Sequence, residues 1–150
     1  MFMMQTRRRF LASLLAIGAM ALVPLQLLAR NKEAFDADES DAAIKALVGD
    51  KPLVKSTDIV LKVPDIAENG AVVPVTVTTT IEDVQRISLI VDENPNPLSA
   101  SFRLLPGSVA DISTRVKMGA SSDVRAIVET QTTAFYTTKN VKVTIGGCGG

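Results

Sequence analysis

The stretch VVPVTVTTT, residues 72–80, places valines at 73, 75 and 77 and threonines at 76 and 78. A period of two puts the valines on one face of an extended chain and the threonines on the other, so the stretch reads as a half-buried β-strand. Pro74 removes a ladder donor from it, which points to an edge strand or a bulge. The same period recurs outward in both directions. Ile59, Leu61 and Val63 precede it, and Ile87, Leu89 and Val91 follow. Later come Phe102 with Leu104, Val116 with Met118, Val124 with Val128, and Val141 with Val143 and Ile145.

Turn-forming clusters separate these runs: PDIAENG at 64–70, DENPNP at 92–97, Pro106-Gly107 and GASS at 119–122. Seven or eight short strands at this spacing predict an all-β protein, an immunoglobulin-like β-sandwich, with a small barrel as the alternative. The strand count alone carries this reading, because the Cys…Trp…Cys signature of antibody domains is absent. The threonine-rich segments VTVTTT and TQTTAFYTT suit pleated, half-exposed strands and need no special surface to explain them.

Before the strands, residues 31–50 follow a helical period. Ile44, Leu47 and Val48 share one face with Ala43, and Asp36, Asp38, Glu39 and Asp41 crowd the start, where the helix dipole favours anions. Gly49 and Pro52 end the pattern. The acidic run lacks the turn glycine and closing glutamate of a calcium loop.

The chain carries 16 basic and 16 acidic residues, no histidine, no tryptophan and one cysteine. This balance gives no reason to expect a nucleic-acid partner. One thiol without histidine does not make a zinc, copper or iron–sulfur centre within the chain. The absence of histidine also excludes Ser-His and Cys-His nucleophile pairs. No resident cofactor is expected.

Arg7, Arg8 and Arg9 precede the apolar run Leu11–Val23. A basic start and a short apolar run predict a signal peptide over residues 1–29, cut after Ala29 and leaving no stable membrane insertion. Thr6-Arg7-Arg8-Arg9-Phe10-Leu11 resembles the twin-arginine signal, so export of the folded protein to the periplasm is expected. Arg7 and Arg8 are the export residues. Without a cofactor to load, a co-exported passenger subunit is a reason to fold before crossing. Removal of the leader leaves 13 basic residues against 16 acidic ones.

Past the sandwich, predicted over 30–145, the chain reads Gly146-Gly147-Cys148-Gly149-Gly150. Four glycines around one residue oppose fixed structure and predict a flexible arm over 146–150. Fully extended, five residues reach roughly 17 Å. A free thiol near pKa 8.5 is only about 3% thiolate at neutral pH, so Cys148 needs activation by another protein's active site. Lys139 and Lys142 are near in sequence, but a flexible tail would not hold them to the sulfur.

The ending VKVTIGGCGG, the twin-arginine leader, the segment RNKEAF at 30–35 and the ENPNP turn at 93–97 resemble the SoxY family. SoxY proteins are sulfur-carrier subunits of a periplasmic thiosulfate-oxidising system. The resemblance implies a covalent carrier, not an enzyme, with Cys148 as the attachment site. It implies a c-type cytochrome that couples thiosulfate to the cysteine and a manganese hydrolase that releases sulfate. A sulfane dehydrogenase and other partners then act on the remaining sulfur. It also implies a heterodimer with a SoxZ-like sandwich subunit that has no signal of its own.

Two rival readings stand beside it. One is a structural or adhesive subunit that dimerises through a terminal disulfide. The other is a thiocarboxylate carrier that uses Gly149-Gly150; that chemistry needs ATP, which the expected periplasmic destination does not supply.

Overall fold

The computed structural model describes residues 31–144. The readings on the leader, including Arg7 and Arg8, and on Gly146, Gly147, Cys148, Gly149 and Gly150 lie outside the described residues.

Among the described residues two short helices come first, α1 (Lys32–Asp36) and α2 (Ser40–Val48). Nine strands follow: β1 (Leu53–Lys55), β2 (Ile59–Lys62), β3 (Ile66–Ala67), β4 (Val73–Thr79), β5 (Arg86–Val91), β6 (Leu98–Arg103), β7 (Asp111–Val116), β8 (Ser122–Glu129) and β9 (Ala134–Val143). A 3-10 turn, Gly70–Val72, leads into β4. The larger sheet runs β1-β9-β8-β5-β6, and β3 pairs with β9 off that path; the smaller sheet runs β2-β4-β7. The result is an all-β sandwich of two separate sheets, with no barrel closure between them.

Alternation builds the inter-sheet core as expected. Val73, Val75 and Val77 of the small sheet face Ile87, Leu89 and Val91 of the large one, and all six are almost fully buried. Burying one such side chain stabilises the fold by about 1.5–3 kcal/mol. Thr76 and Thr78 stay partly exposed, and Thr76 Oγ1 lies 2.9 Å from Ser113 Oγ on the neighbouring β7. The threonines therefore serve as outward strand positions.

Pro74 corrects one expectation. β4 is the central strand of its sheet, not an edge. Its pairing with β2 covers only Thr76–Thr79, whereas its pairing with β7 extends from Val73 to Thr78. Pro74 thus sits where β4 has no β2 neighbour, and the missing N–H costs no bond to that strand. The Val116–Met118 pair is also corrected: β7 ends at Val116, and Met118 is buried beyond it in the following loop.

The helical pattern over 31–50 resolves into two helices. Ala37 and Glu39 are extended, and Asn96 Nδ2 donates to Ala37 O at 3.3 Å, taking a carbonyl that a continuous helix would use internally. Asn31 caps α1 by accepting from Ala34 N and reaches α2 by donating to Ala46 O at 2.8 Å. Gly49, at φ 63°, ends α2 in a conformation unfavourable for residues with a Cβ. Just beyond, the Lys45 ammonium at 2.8 Å holds the exposed Asp50 carboxyl below its ordinary pKa.

These helices cover the outer face of the large sheet. Ile44, Leu47 and Val48 form a second buried cluster with Ile90, Leu98 and Ile127. The central strands β5 and β8 are therefore buried on both faces, and RISLIV reads as a nearly continuous apolar run. Asp92 fastens the layers together. Its Oδ1 accepts from Ser40 Oγ at 2.8 Å, and its Oδ2 accepts from Arg125 Nε at 3.0 Å and Nη2 at 2.8 Å.

Candidate functional site

The strand that leads to Cys148 is β9, which pairs with β8, β1 and β3. β8 lies antiparallel along it from Ala134 to Val141. On its other side, β1 pairs in parallel at Ala134–Tyr136 and β3 pairs in parallel at Lys142–Val143. The chain runs towards Cys148 from a strand gripped at both ends, and the grip at the Val143 end is the one nearer to Cys148 in sequence.

That grip is made mainly of backbone bonds. Lys142 N donates to Asp65 O and Thr144 N donates to Ala67 O, both at 3.0 Å. From the opposite side Val143 N donates to Ser121 Oγ at 2.9 Å. Lys139 Nζ donates to Val63 O at 2.9 Å and pairs with Asp65 at 3.0 Å. Lys139 is thus spent on holding the segment before β3, while Lys142 is exposed.

A second tier locks the first. Met118 N donates to Gly70 O at 2.7 Å. A Cβ on Gly70 would lie 2.4 Å from Met118 O and 2.9 Å from Val143 Cγ1, so glycine is required by close approach. The loop holding Met118 is pinned in turn by Asn94, whose Nδ2 donates to Lys117 O at 2.7 Å and whose Oδ1 accepts from Gly119 N at 3.0 Å. Glu93 N donates to Ser122 Oγ at 3.0 Å. The ENPNP turn is therefore joined, through residues 117–122, to β9.

Sequence reasoning did not single out Asn94, Gly70, Met118 or Ser121 as parts of this site. The available signal was indirect: an asparagine between turn residues and a glycine just ahead of a strand. Neither reveals its distant partner.

Covalent geometry limits where the thiol can act. Cys148 is four residues beyond Thr144, so its Cα lies within about 14 Å of the Thr144 Cα. A cleft of about 1410 Å³ among the described residues lies elsewhere. Its lining includes Lys51, Arg86, Arg103, Leu105, Glu129 and Thr132, which gather at the start of β9 and the end of β8. Ala134 and Val143 are separated by most of a ten-residue strand, roughly 30 Å. The cleft is beyond the reach of Cys148.

Glu129 has a structural place at that far end. Its side chain is only 4% exposed, with Oε2 3.3 Å from Lys51 Nζ and Oε1 3.6 Å from Arg86 Nη1. Among the described residues, no group of three or more His, Cys, Asp or Glu is placed to hold a metal ion, and no helix is long and apolar enough to cross a membrane.

Comparison with known proteins agrees with this architecture. The profile of the family described as sulfur oxidation protein SoxY matches residues 44–148, a span that includes both the sandwich and Cys148. Among solved structures, the sulfur carrier protein SoxY from Chlorobium limicola f thiosulfatophilum is similar at 40% sequence identity with a TM-score of 0.64. The match covers 70% of this chain and 96% of that one. No match is found among the curated proteins.

Proposed function

The chain belongs to the SoxY family, and from that premise we propose that it is a covalent sulfur carrier, with Cys148 as the attachment point and no catalytic step of its own. One observation carries the reading: the sequence's single thiol lies five residues past the end of β9, a strand end held on both sides. The sandwich offers a fixed base, and the glycines on either side of Cys148 keep the final segment slender.

The chemistry begins with the Cys148 thiolate and thiosulfate. Formation of Cys–S–S–SO3− removes two electrons, which a c-type cytochrome partner accepts. Hydrolysis by a manganese enzyme then cleaves the S–SO3 bond. One water is consumed, sulfate and two protons leave, and a persulfide anion remains on Cys148. A sulfane dehydrogenase or another partner acts on that sulfur next. Several active sites must meet one atom, and tethering supplies a local concentration of the order of millimolar for a short linker. It also keeps reactive sulfur from diffusing away.

The same reading places the mature protein in the periplasm, exported by the twin-arginine route and paired with a signal-less SoxZ-like subunit. Replacing Arg7 and Arg8 by lysine is expected to retain both proteins in the cytoplasm. Normal periplasmic levels of the partner under that change would refute co-export.

The decisive test of the carrier reading is intact mass spectrometry of the purified protein after incubation with thiosulfate and the cytochrome. Reductant-removable mass additions are expected on the unaltered chain and none on Cys148→Ser. Adducts on the serine variant would overturn the assignment.

A further inference from the structure

Two arginines stand side by side in the cleft near the start of β9, and neither guanidinium donates a hydrogen bond to a described residue. Arg86 on β5 is the register partner of Arg103 on β6. Leu104 N donates to Gln85 O at 2.9 Å, which makes Arg86 and Arg103 a non-hydrogen-bonded pair of the ladder. In such a pair the Cα atoms lie about 4.5 Å apart and the side chains leave the sheet on the same face. From these residues we propose an oxyanion site, in which Arg86 and Arg103 together hold one tetrahedral dianion of the sulfate or phosphate type. The site is remote from Cys148, and the inference stands independently of the carrier reading.

Charge makes the case for a ligand. Like charges directly opposite each other on neighbouring strands destabilise a sheet. The other flank of Arg86 offsets part of that repulsion. Glu129 is its register partner on β8, with a side chain only 4% exposed. Yet Glu129 Oε1 stays 3.6 Å from Arg86 Nη1 and accepts no hydrogen bond. Glu129 therefore balances charge without consuming the donors of Arg86. Its Oε2 lies 3.3 Å from Lys51 Nζ, which donates to Thr130 O at 2.9 Å. Lys51, Arg86 and Arg103 against Glu129 leave two positive charges in this group. Glu82 and Asp83 also line the cleft, but both are exposed, and neither makes an ion pair with the arginines.

Geometry selects the class of anion. A guanidinium is a planar fork that donates to two oxygens of one oxyanion and keeps its charge at any physiological pH. Two forks side by side suit an anion that offers oxygens in more than one plane, as a tetrahedral dianion does and a carboxylate does not. Such an ion neutralises the excess charge and removes the repulsion between the arginines. Register fixes the two side chains next to each other whether or not the ion is bound.

The test uses the full chain carrying Cys148→Ser, so that covalent loading cannot intrude. Sodium sulfate is titrated by calorimetry at constant ionic strength, with thiosulfate, phosphate and acetate in separate arms. Saturable one-to-one binding of sulfate is expected, with thiosulfate and phosphate competing for the same site; the tightest of the three identifies the ion. Acetate should bind at least about tenfold more weakly, as should sulfate to Arg103→Gln, since each lacks hydrogen bonds between charged groups. Arg86→Lys keeps the charge beside Glu129 but loses the fork, and it should also weaken sulfate binding. Without sulfate, Arg103→Gln should be at least as stable as the unaltered chain in urea unfolding, because the repulsion is gone.

Arg115→Gln makes the same chemical change at an exposed arginine on β7 of the small sheet. It should leave sulfate binding unaltered. Absence of saturable binding, acetate binding as tight as sulfate binding, or an unaltered affinity in Arg103→Gln would overturn the site. An equal loss in Arg115→Gln would overturn it too, since the effect would then be one of overall charge. A fall in the stability of Arg103→Gln without sulfate would refute the repulsion on which the proposal stands.

Discussion

Gly70 and Met118 meet backbone to backbone: the Gly70 carbonyl accepts the Met118 N–H at 2.7 Å, and the Gly70 Cα faces the Met118 carbonyl with no room for a Cβ between them. Val143 Cγ1 closes the same space from the side of β9. This three-way contact joins the turn before β4, the loop after β7 and the last strand. It ties the end of β9 into the sandwich.

Gly70→Ala therefore inserts a methyl group where the nearest atom is backbone oxygen. Flexible side-chain ends can move aside cheaply, but a carbonyl held in a loop cannot. Overpacking of this kind costs about 1–3 kcal/mol. Urea unfolding should show that loss, and hydrogen exchange should quicken at Met118 and Thr144 more than at the core strands.

Asn94 supports the same loop with two bonds of opposite polarity. Asn94→Ala removes both and is expected to cost about 1–3 kcal/mol. Asn94→Asp keeps the acceptor for Gly119 N but turns a carboxylate oxygen towards the Lys117 carbonyl. The aspartate should not restore the unaltered midpoint in urea unfolding. Full restoration would show that only the Gly119 bond matters.

Leu89 is fully buried between the two sheets, and Ile127 is fully buried beneath the helices. Each truncation to alanine should cost about 2–5 kcal/mol in chemical unfolding. Ile127→Ala should in addition loosen α1 and α2, read as faster hydrogen exchange there, whereas Leu89→Ala should not single the helices out.

Gly147→Val and Gly149→Val add a branched side chain on either side of Cys148 and restrict its backbone. Stability should stay near that of the unaltered protein, because both positions follow the last paired strand. Turnover by partner enzymes should fall many-fold, while alkylation by iodoacetamide should change little. Unaltered turnover in both variants would show that the thiol suffices and slenderness is irrelevant.

Much of this protein was legible along the chain. The alternation of Val73, Val75 and Val77, and of Ile87, Leu89 and Val91, already specified strands with one face in a shared core, because strand side chains repeat every two residues. Composition alone made Cys148 the sole possible thiol attachment point. Tertiary structure decided what periodicity cannot express, namely which distant segment lies beside which. The placement of β1 and β3 along opposite ends of β9, the centring of β4 despite Pro74 and the covering of Ile90 and Ile127 by helices all depend on such contacts. The Asn94 bonds to residues 117 and 119, and the fit of Gly70 against Met118, are of the same kind. A local pattern reports whether a residue is buried on its own element; a hydrogen bond between separated loops exists only after the sheets have stacked and brought their ends together.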